Sequence, residues 1–198
     1  MKIIGLTGSV GSGKSTVGKI MQEHFSVKLS MTDDIGHLAM EPGTESYEEI
    51  VKLLGNHILR EDGTIDRKVV SDLVFSDKML LAKLNGIIHP WVKEYLRKDM
   101  ETERQKAEYA YYVIESAILF QTGLDAICEE VWYVDAEDSI RAERLQQNRG
   151  YSQEKIAAIM QNQSENEIWK QKCRKIIVNN EGMDMILQQL ESGLASAL

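Results

Sequence analysis

The chain has 198 residues, 43% hydrophobic and 27% charged, values typical of a globular fold with one sizeable core. Its net charge of −8 argues against nucleic acid or an anionic membrane as partner, while a local cationic cluster for a phosphorylated small molecule stays possible. No apolar run approaches the roughly 18 residues of a membrane span and the start "MKIIGLTG" is no signal peptide, so the expected compartment is the cytoplasm.

Residues 2–7, "KIIGLT", are short, apolar and β-branched, as a buried parallel strand requires. Gly8–Ser15, "GSVGSGKS", then fits G-x-x-x-x-G-K-[ST]. The following "KSTVGKIMQEHF" repeats apolar residues at Val17, Ile20, Met21 and Phe25, a helical spacing. A glycine-rich loop between a strand and a helix has a phosphate-binding mechanism. Gly11, Ser12 and Gly13 let backbone N–H groups curl around phosphate oxygens, and the helix start adds donors and a positive dipole end. Lys14 then bridges the β- and γ-phosphates, Ser15 offers its hydroxyl to Mg²⁺, and Thr16 reaches the α-phosphate. The bland alternative is a glycine turn that binds nothing.

A second strand is expected at Val27–Ser30, followed by Asp33 and Asp34. On extended chain adjacent residues face opposite ways, so one of the two points at an acceptor. Asp33 in that place can take a hydrogen bond from an attacking hydroxyl and aim it; the bland role is a helix cap or turn aspartate. Residues 35–108 read as mostly helical, with a turn at Glu61–Thr64 and Pro90 suited to the first turn of a new helix. About seventy such residues within an α/β sheet imply an inserted substrate domain.

Further strands are expected at Ala110–Glu115, Glu130–Asp135 and Lys175–Asn180, alternating with helices, which predicts a five-stranded parallel sheet. Glu115, ending the third strand, is a candidate to hold Mg²⁺ through water, or simply a solvated strand end. Residues 137–173 are helical and polar and carry Arg141, Arg144 and Arg149, a candidate phosphate-clamping lid; surface pairing with nearby glutamates is the alternative. His89 either contacts a substrate phosphate or serves structure. The two cysteines, Cys128 and Cys173, have no metal-ligand spacing.

A P-loop alone admits kinases, GTPase switches and motor ATPases. No [NT]KxD guanine signature is present, and "DDIG" at Asp33–Gly36 falls too soon after the loop to be a GTPase switch. Small size, an inserted helical domain and an arginine-bearing lid favour a small-molecule kinase. The rivals are a kinase for another nucleoside or nucleotide, and a nucleotide-dependent switch.

Several stretches narrow the choice. "GLTGSVGSGKSTV", "EPG" at Glu41–Gly43, "DGTIDRKVVSDLVF" at Asp62–Phe75, "LNGIIHP" at Leu84–Pro90 and a late "VNN" together resemble the dephospho-coenzyme A kinase family over nearly the whole chain. The resemblance implies a P-loop nucleoside-triphosphate hydrolase fold: a core of residues 1–34, 109–136 and 174–198, a substrate domain of 35–108 and a lid of 137–173. It implies transfer of the ATP γ-phosphate, with Mg²⁺, to the ribose 3′-hydroxyl of dephospho-coenzyme A. By position, Asp33 matches the catalytic aspartate, Arg144 and Arg149 match lid arginines, and Thr7, Arg67 and His89 match positions that shape the acceptor site. The chain departs from the family at Met31, His37, Ala117 and Gln121, where many members read Asp, Arg, Pro and Glu; Glu115 then remains the local acid for the metal. The oligomeric expectation is a monomer or small homo-oligomer.

Overall fold

The protein is described, as a computed structural model, over residues 1–161 and 164–195. In chain order the elements are β1 (Lys2–Gly8), α1 (Lys14–His24), β2 (Val27–Met31), α2 (Thr32–Leu38), α3 (Glu45–Leu54), α4 (Arg67–Phe75), α5 (Lys78–Lys106), β3 (Tyr111–Glu115), β4 (Glu130–Asp135), α6 (Asp138–Arg149), α7 (Gln153–Gln161), α8 (Ser164–Lys172), β5 (Lys175–Val178) and α9 (Met183–Ala195). They form two units: Met1–Met31 together with the chain from Lys106 onward, and Thr32–Gln105.

The first unit is built on a parallel sheet of order β2-β3-β1-β4-β5. Covered on both faces, β1 is buried in five consecutive positions, Ile3 to Thr7, where a half-exposed strand would alternate. Val17, Ile20 and Met21 of α1 and Ile186, Leu190 and Leu194 of α9 share a core with Ile4, Leu6, Val113, Trp132, Val134 and Ile177 of the sheet. Full burial of each such side chain contributes about 1.5–3 kcal/mol. Beneath it, buried Glu130 accepts the Trp132 indole N–H at 2.9 Å and pairs with Lys2 at 3.3 Å and Arg174 at 3.2 Å, so its charge is compensated. Parallel pairing brings the carboxyl ends of the strands to one edge: Leu6 is opposite Glu115, Gly8 opposite Val134 and Asp135 opposite Val178. Ligands of open α/β sheets bind at that edge.

The second unit is helical, around Ile50, Leu54, Ile58, Ile65, Val70 and Leu84. Its polar motif residues are largely occupied with local structure. Thr44 caps α3 by accepting from the Tyr47 N–H, and Asp66 caps α4 by accepting from the N–H groups of Lys68 and Val69. Asp62 accepts from the N–H and hydroxyl of Thr64, closing the turn, and the Tyr47 hydroxyl donates to the Gly63 carbonyl at 2.6 Å. One expectation fails here: Pro90 does not start a helix but lies inside α5, which runs unbroken for 29 residues. Proline removes the N–H that would reach the Gly86 carbonyl. Both Pro90 and Gly86 are exposed, so water can satisfy that carbonyl and the helix continues.

Among the described residues no helix is long and apolar enough to cross a membrane.

Candidate active site

The loop from Gly8 to Ser15 leaves β1 at the carboxyl edge of the sheet and turns directly into α1. Gly13 is the residue before the helix, with φ 87°, and a Cβ there would overlap the Asn179 amide nitrogen; only glycine fits both constraints. Helix α1 therefore has no side-chain cap, and its first turn carries no acidic residue. Its leading N–H groups and positive dipole end are available to an anion. The Lys14 side chain is buried and folds back over the loop, its ammonium donating to the carbonyls of Gly8 at 3.0 Å and Ser9 at 3.2 Å. The Ser9 hydroxyl is hydrogen-bonded to the Tyr133 hydroxyl at 2.7 Å, and burial raises the Tyr133 pKa, keeping that phenol protonated.

Beside the loop, the Ser15 hydroxyl donates to the buried Glu115 carboxylate at 3.4 Å. This pair of oxygens suits Mg²⁺, which takes oxygen donors, keeps several waters and relies on substrate phosphates for the rest of its shell. Among the described residues no group of three or more His, Cys, Asp or Glu could hold a metal ion by itself. Thr16 is exposed on the same turn, and Thr7 is buried at the end of β1.

Behind the loop lies a set of donors from other elements. Arg141 of α6 is 1% exposed; its Nε donates to the Val10 carbonyl at 3.0 Å and its Nη1 pairs with Asp138 at 2.8 Å. Arg144, one turn on, donates to the Ser12 carbonyl at 3.4 Å and the Asn179 carbonyl at 3.0 Å. Asn179, just past β5, donates its side-chain amide to the Ser12 carbonyl at 2.8 Å. Asn180 exchanges two hydrogen bonds with Glu137 at the start of α6. Sequence reasoning placed Asn179 in a strand and in the "VNN" stretch but gave it no role, and it left Arg141 undecided. The available signal was Leu145, four residues after Arg141: both are buried, so Arg141 occupies the inner face of the helix, where a charged residue needs a built partner. Lys170 of α8 pairs with Asp135 at the end of β4 at 2.5 Å, and Trp169 stacks on Phe120 with centroids 4.7 Å apart.

Arg149 is elsewhere: it is exposed at the end of α6, with its guanidinium 6.0 Å from the Tyr151 ring centre. Five residues of helix rotate it well away from Arg144. Asp33 and Asp34 are not on extended chain as expected. Both lie in the first turn of α2 and both are exposed, so they point about 100° apart and the alternation rule does not choose between them. Arg67 is the first residue of α4 and is exposed; His89 is half-buried on α5, its pKa lowered by burial and then by the Lys93 charge. Among the described residues, Asp33, Arg67 and His89 share no hydrogen bond or ion pair.

Comparison with known proteins identifies the family of the chain. The family model described as dephospho-CoA kinase matches residues 2–184. A dephospho-CoA kinase of Moorella thermoacetica is 37% identical over 145 residues, 73% of this chain and 68% of that protein. One from Fusobacterium nucleatum is 33% identical over 189 residues, 96% of this chain and 95% of its own length. The solved structure of dephospho-CoA kinase from Campylobacter jejuni shares the fold with a TM-score of 0.73 at 24% identity, covering 100% of this chain and 98% of that one.

Proposed function

This chain belongs to the dephospho-CoA kinase family and is an ATP-dependent kinase with that activity; we propose that its Gly8–Ser15 loop and Asp33 divide the work of moving the γ-phosphate of ATP to the ribose 3′-hydroxyl of dephospho-CoA. The observation that carries this division is the uncapped start of α1, with the Lys14 ammonium beside it. The backbone of Gly11, Ser12 and Gly13 holds the phosphate chain together with the hydroxyls of Ser15 and Thr16. Lys14 exchanges its carbonyl partners for the β- and γ-oxygens and stabilises the charge that gathers there in the transition state. Ser15 and Glu115 would hold Mg²⁺, which supplies charge neutralisation between the β- and γ-phosphates.

Asp33 accepts the hydrogen bond of the acceptor hydroxyl and aims it in line with the phosphorus. A carboxylate is a weak base, and a loose transition state asks no more of it, because the proton leaves late. Arg67 and His89 bind the acceptor, and Thr7 shapes the floor between acceptor and loop. Arg144 stabilises transferring charge from the root of a lid formed by residues 137–173, and Arg149 closes over the nucleotide from its tip. The expected place of action is the cytoplasm, as a monomer or small homo-oligomer.

The test is a coupled ADP-release assay with ATP, Mg²⁺ and four acceptors: dephospho-CoA, AMP, uridine and cytidine. Turnover with dephospho-CoA alone is expected. Equal turnover of all four, or none with dephospho-CoA, contradicts the reading.

A further inference from the structure

We propose that Asn179 is a positioning residue for phosphoryl transfer: with Arg141 it fixes the peptide planes whose N–H groups face the phosphates. The inference rests on the reading of Gly8–Ser15 as the phosphate cradle. In a trans peptide the C=O and the N–H point in opposite directions. A loop that aims N–H groups inward must therefore aim carbonyls outward, and an outward carbonyl shut off from water needs a donor.

Three such donors come from far along the chain: Arg141 to the Val10 carbonyl, Asn179 to the Ser12 carbonyl and, at the longer distance of 3.4 Å, Arg144 to that same Ser12 carbonyl. Arg141 Nε holds the Val10 carbonyl at 3.0 Å, which turns the Gly11 N–H of the same peptide away from α6. Asn179 Nδ2 holds the Ser12 carbonyl at 2.8 Å, which turns the Gly13 N–H away from β5. Both peptides end in a glycine at positive φ, 84° at Gly11 and 87° at Gly13. Glycine permits this conformation but does not enforce it, so without a donor these peptides are free to flip.

Asn179 suits the task chemically. It is 4% exposed, and its own N–H donates to the Asp135 carbonyl at 2.8 Å, tying the residue to the end of β4. Its carbonyl and side-chain oxygen both receive Arg144 Nη2, at 3.0 and 3.4 Å, while its NH₂ faces Ser12. A side chain here must accept from a guanidinium on one side and donate to a carbonyl on the other. An amide does both; a carboxylate or an alkyl group does not.

The experiment measures binding of inorganic tripolyphosphate and of ATP, each with Mg²⁺, by calorimetry on the wild type and on Asn179→Ala, Asn179→Asp and Asn180→Ala. Tripolyphosphate reports on the cradle without base or ribose. Both Asn179 variants are expected to weaken tripolyphosphate and ATP alike, by about tenfold or more, the loss that follows from one buried hydrogen bond to a carbonyl. In turnover, KM for ATP rises and KM for dephospho-CoA stays put. Asn180→Ala, which removes a neighbouring bridge to α6 without touching the loop, should change tripolyphosphate affinity by less than about twofold. If Asn179→Ala fails to fold, Asn179→Asp, nearly identical in volume, carries the test. Unchanged tripolyphosphate affinity in a folded Asn179 variant overturns the proposal, whether ATP affinity falls or not. If the wild type itself binds neither ligand, the cradle reading fails first and this inference with it.

Discussion

The loop Gly8–Ser15 and the helical unit Thr32–Gln105 treat their polar groups in opposite ways. In the loop, Lys14, Ser9 and the Val10 and Ser12 carbonyls are each held by a defined partner, several of them from distant strands and helices. In the helical unit Thr44, Asp62 and Asp66 cap helices and close turns and Arg97 pairs with Glu94 along one exposed helix, while Asp33 and Arg67 stand exposed. Under the proposed function, preorganisation is concentrated where charge would develop in the transition state and would lower the barrier there. In the same proposal, acceptor recognition rests on side chains whose partners would arrive with the substrate.

Breaking the preorganised side has the largest expected consequence. Lys14→Ala removes the ammonium carried by the Gly8–Ser15 loop and should lower kcat by about two to four orders of magnitude, read as steady-state ADP release. Melting of the variant should stay cooperative; unchanged turnover would break the comparison. Glu115→Gln keeps the Ser15 contact in shape but removes the charge offered to the metal. The Mg²⁺ concentration for half-maximal rate should rise by about tenfold, the scale of one charge-assisted interaction, in a Mg²⁺ titration at fixed ATP. An unshifted titration would mean that Glu115 takes no part in holding the metal.

The smallest effect sharpens the acceptor side. The His89 imidazole titrates below its ordinary 6.5, because burial and the Lys93 charge both disfavour the cation. The sign follows from proton counting. Above pH 6.5 the folded and unfolded chains both carry a neutral His89, and stability does not depend on it. As pH falls below 6.5 the unfolded chain takes up the proton first, so the folded state loses stability down to the lowered pKa and no further. An NMR titration should place the His89 midpoint below 6.5, and His89→Gln should flatten the acid limb of the melting temperature. A midpoint above 6.5 would contradict this shift, and one above neutral pH would make His89 mostly a cation there and change its expected role from hydrogen-bonding to charge.

The sequence made much of this fold legible because its strongest signals are local. The strand, glycine loop and helix from Lys2 to His24 are contiguous, and each residue's role follows from its immediate neighbours. The strand at Glu130–Asp135 agrees to the residue, and β5 stops at Val178, short of the expected Asn180: the Asn179 N–H makes one more bond to the Asp135 carbonyl, and the side chains of Asn179 and Asn180 turn to the loop and α6. Partners without local signals stayed hidden: Arg141 and Val10 are 131 residues apart, and Asn179 and Ser12 are 167 apart. Pro90 misled because its rule assumes that the freed carbonyl must be buried, and in α5 the Gly86 turn is exposed. The Asp33–Asp34 pair misled because the helix begins at Thr32, immediately after the strand.

The most direct test of the division between holding and aiming is Asp33→Asn, measured twice: ATP affinity by calorimetry and single-turnover formation of the 3′-phosphorylated product from dephospho-CoA. Unaltered ATP affinity with product formation slowed by about a hundredfold or more is the expected result, the range of a positioned carboxylate acting on the attacking hydroxyl. Product formation at the wild-type rate would contradict the account and leave Asp33 a surface residue of α2.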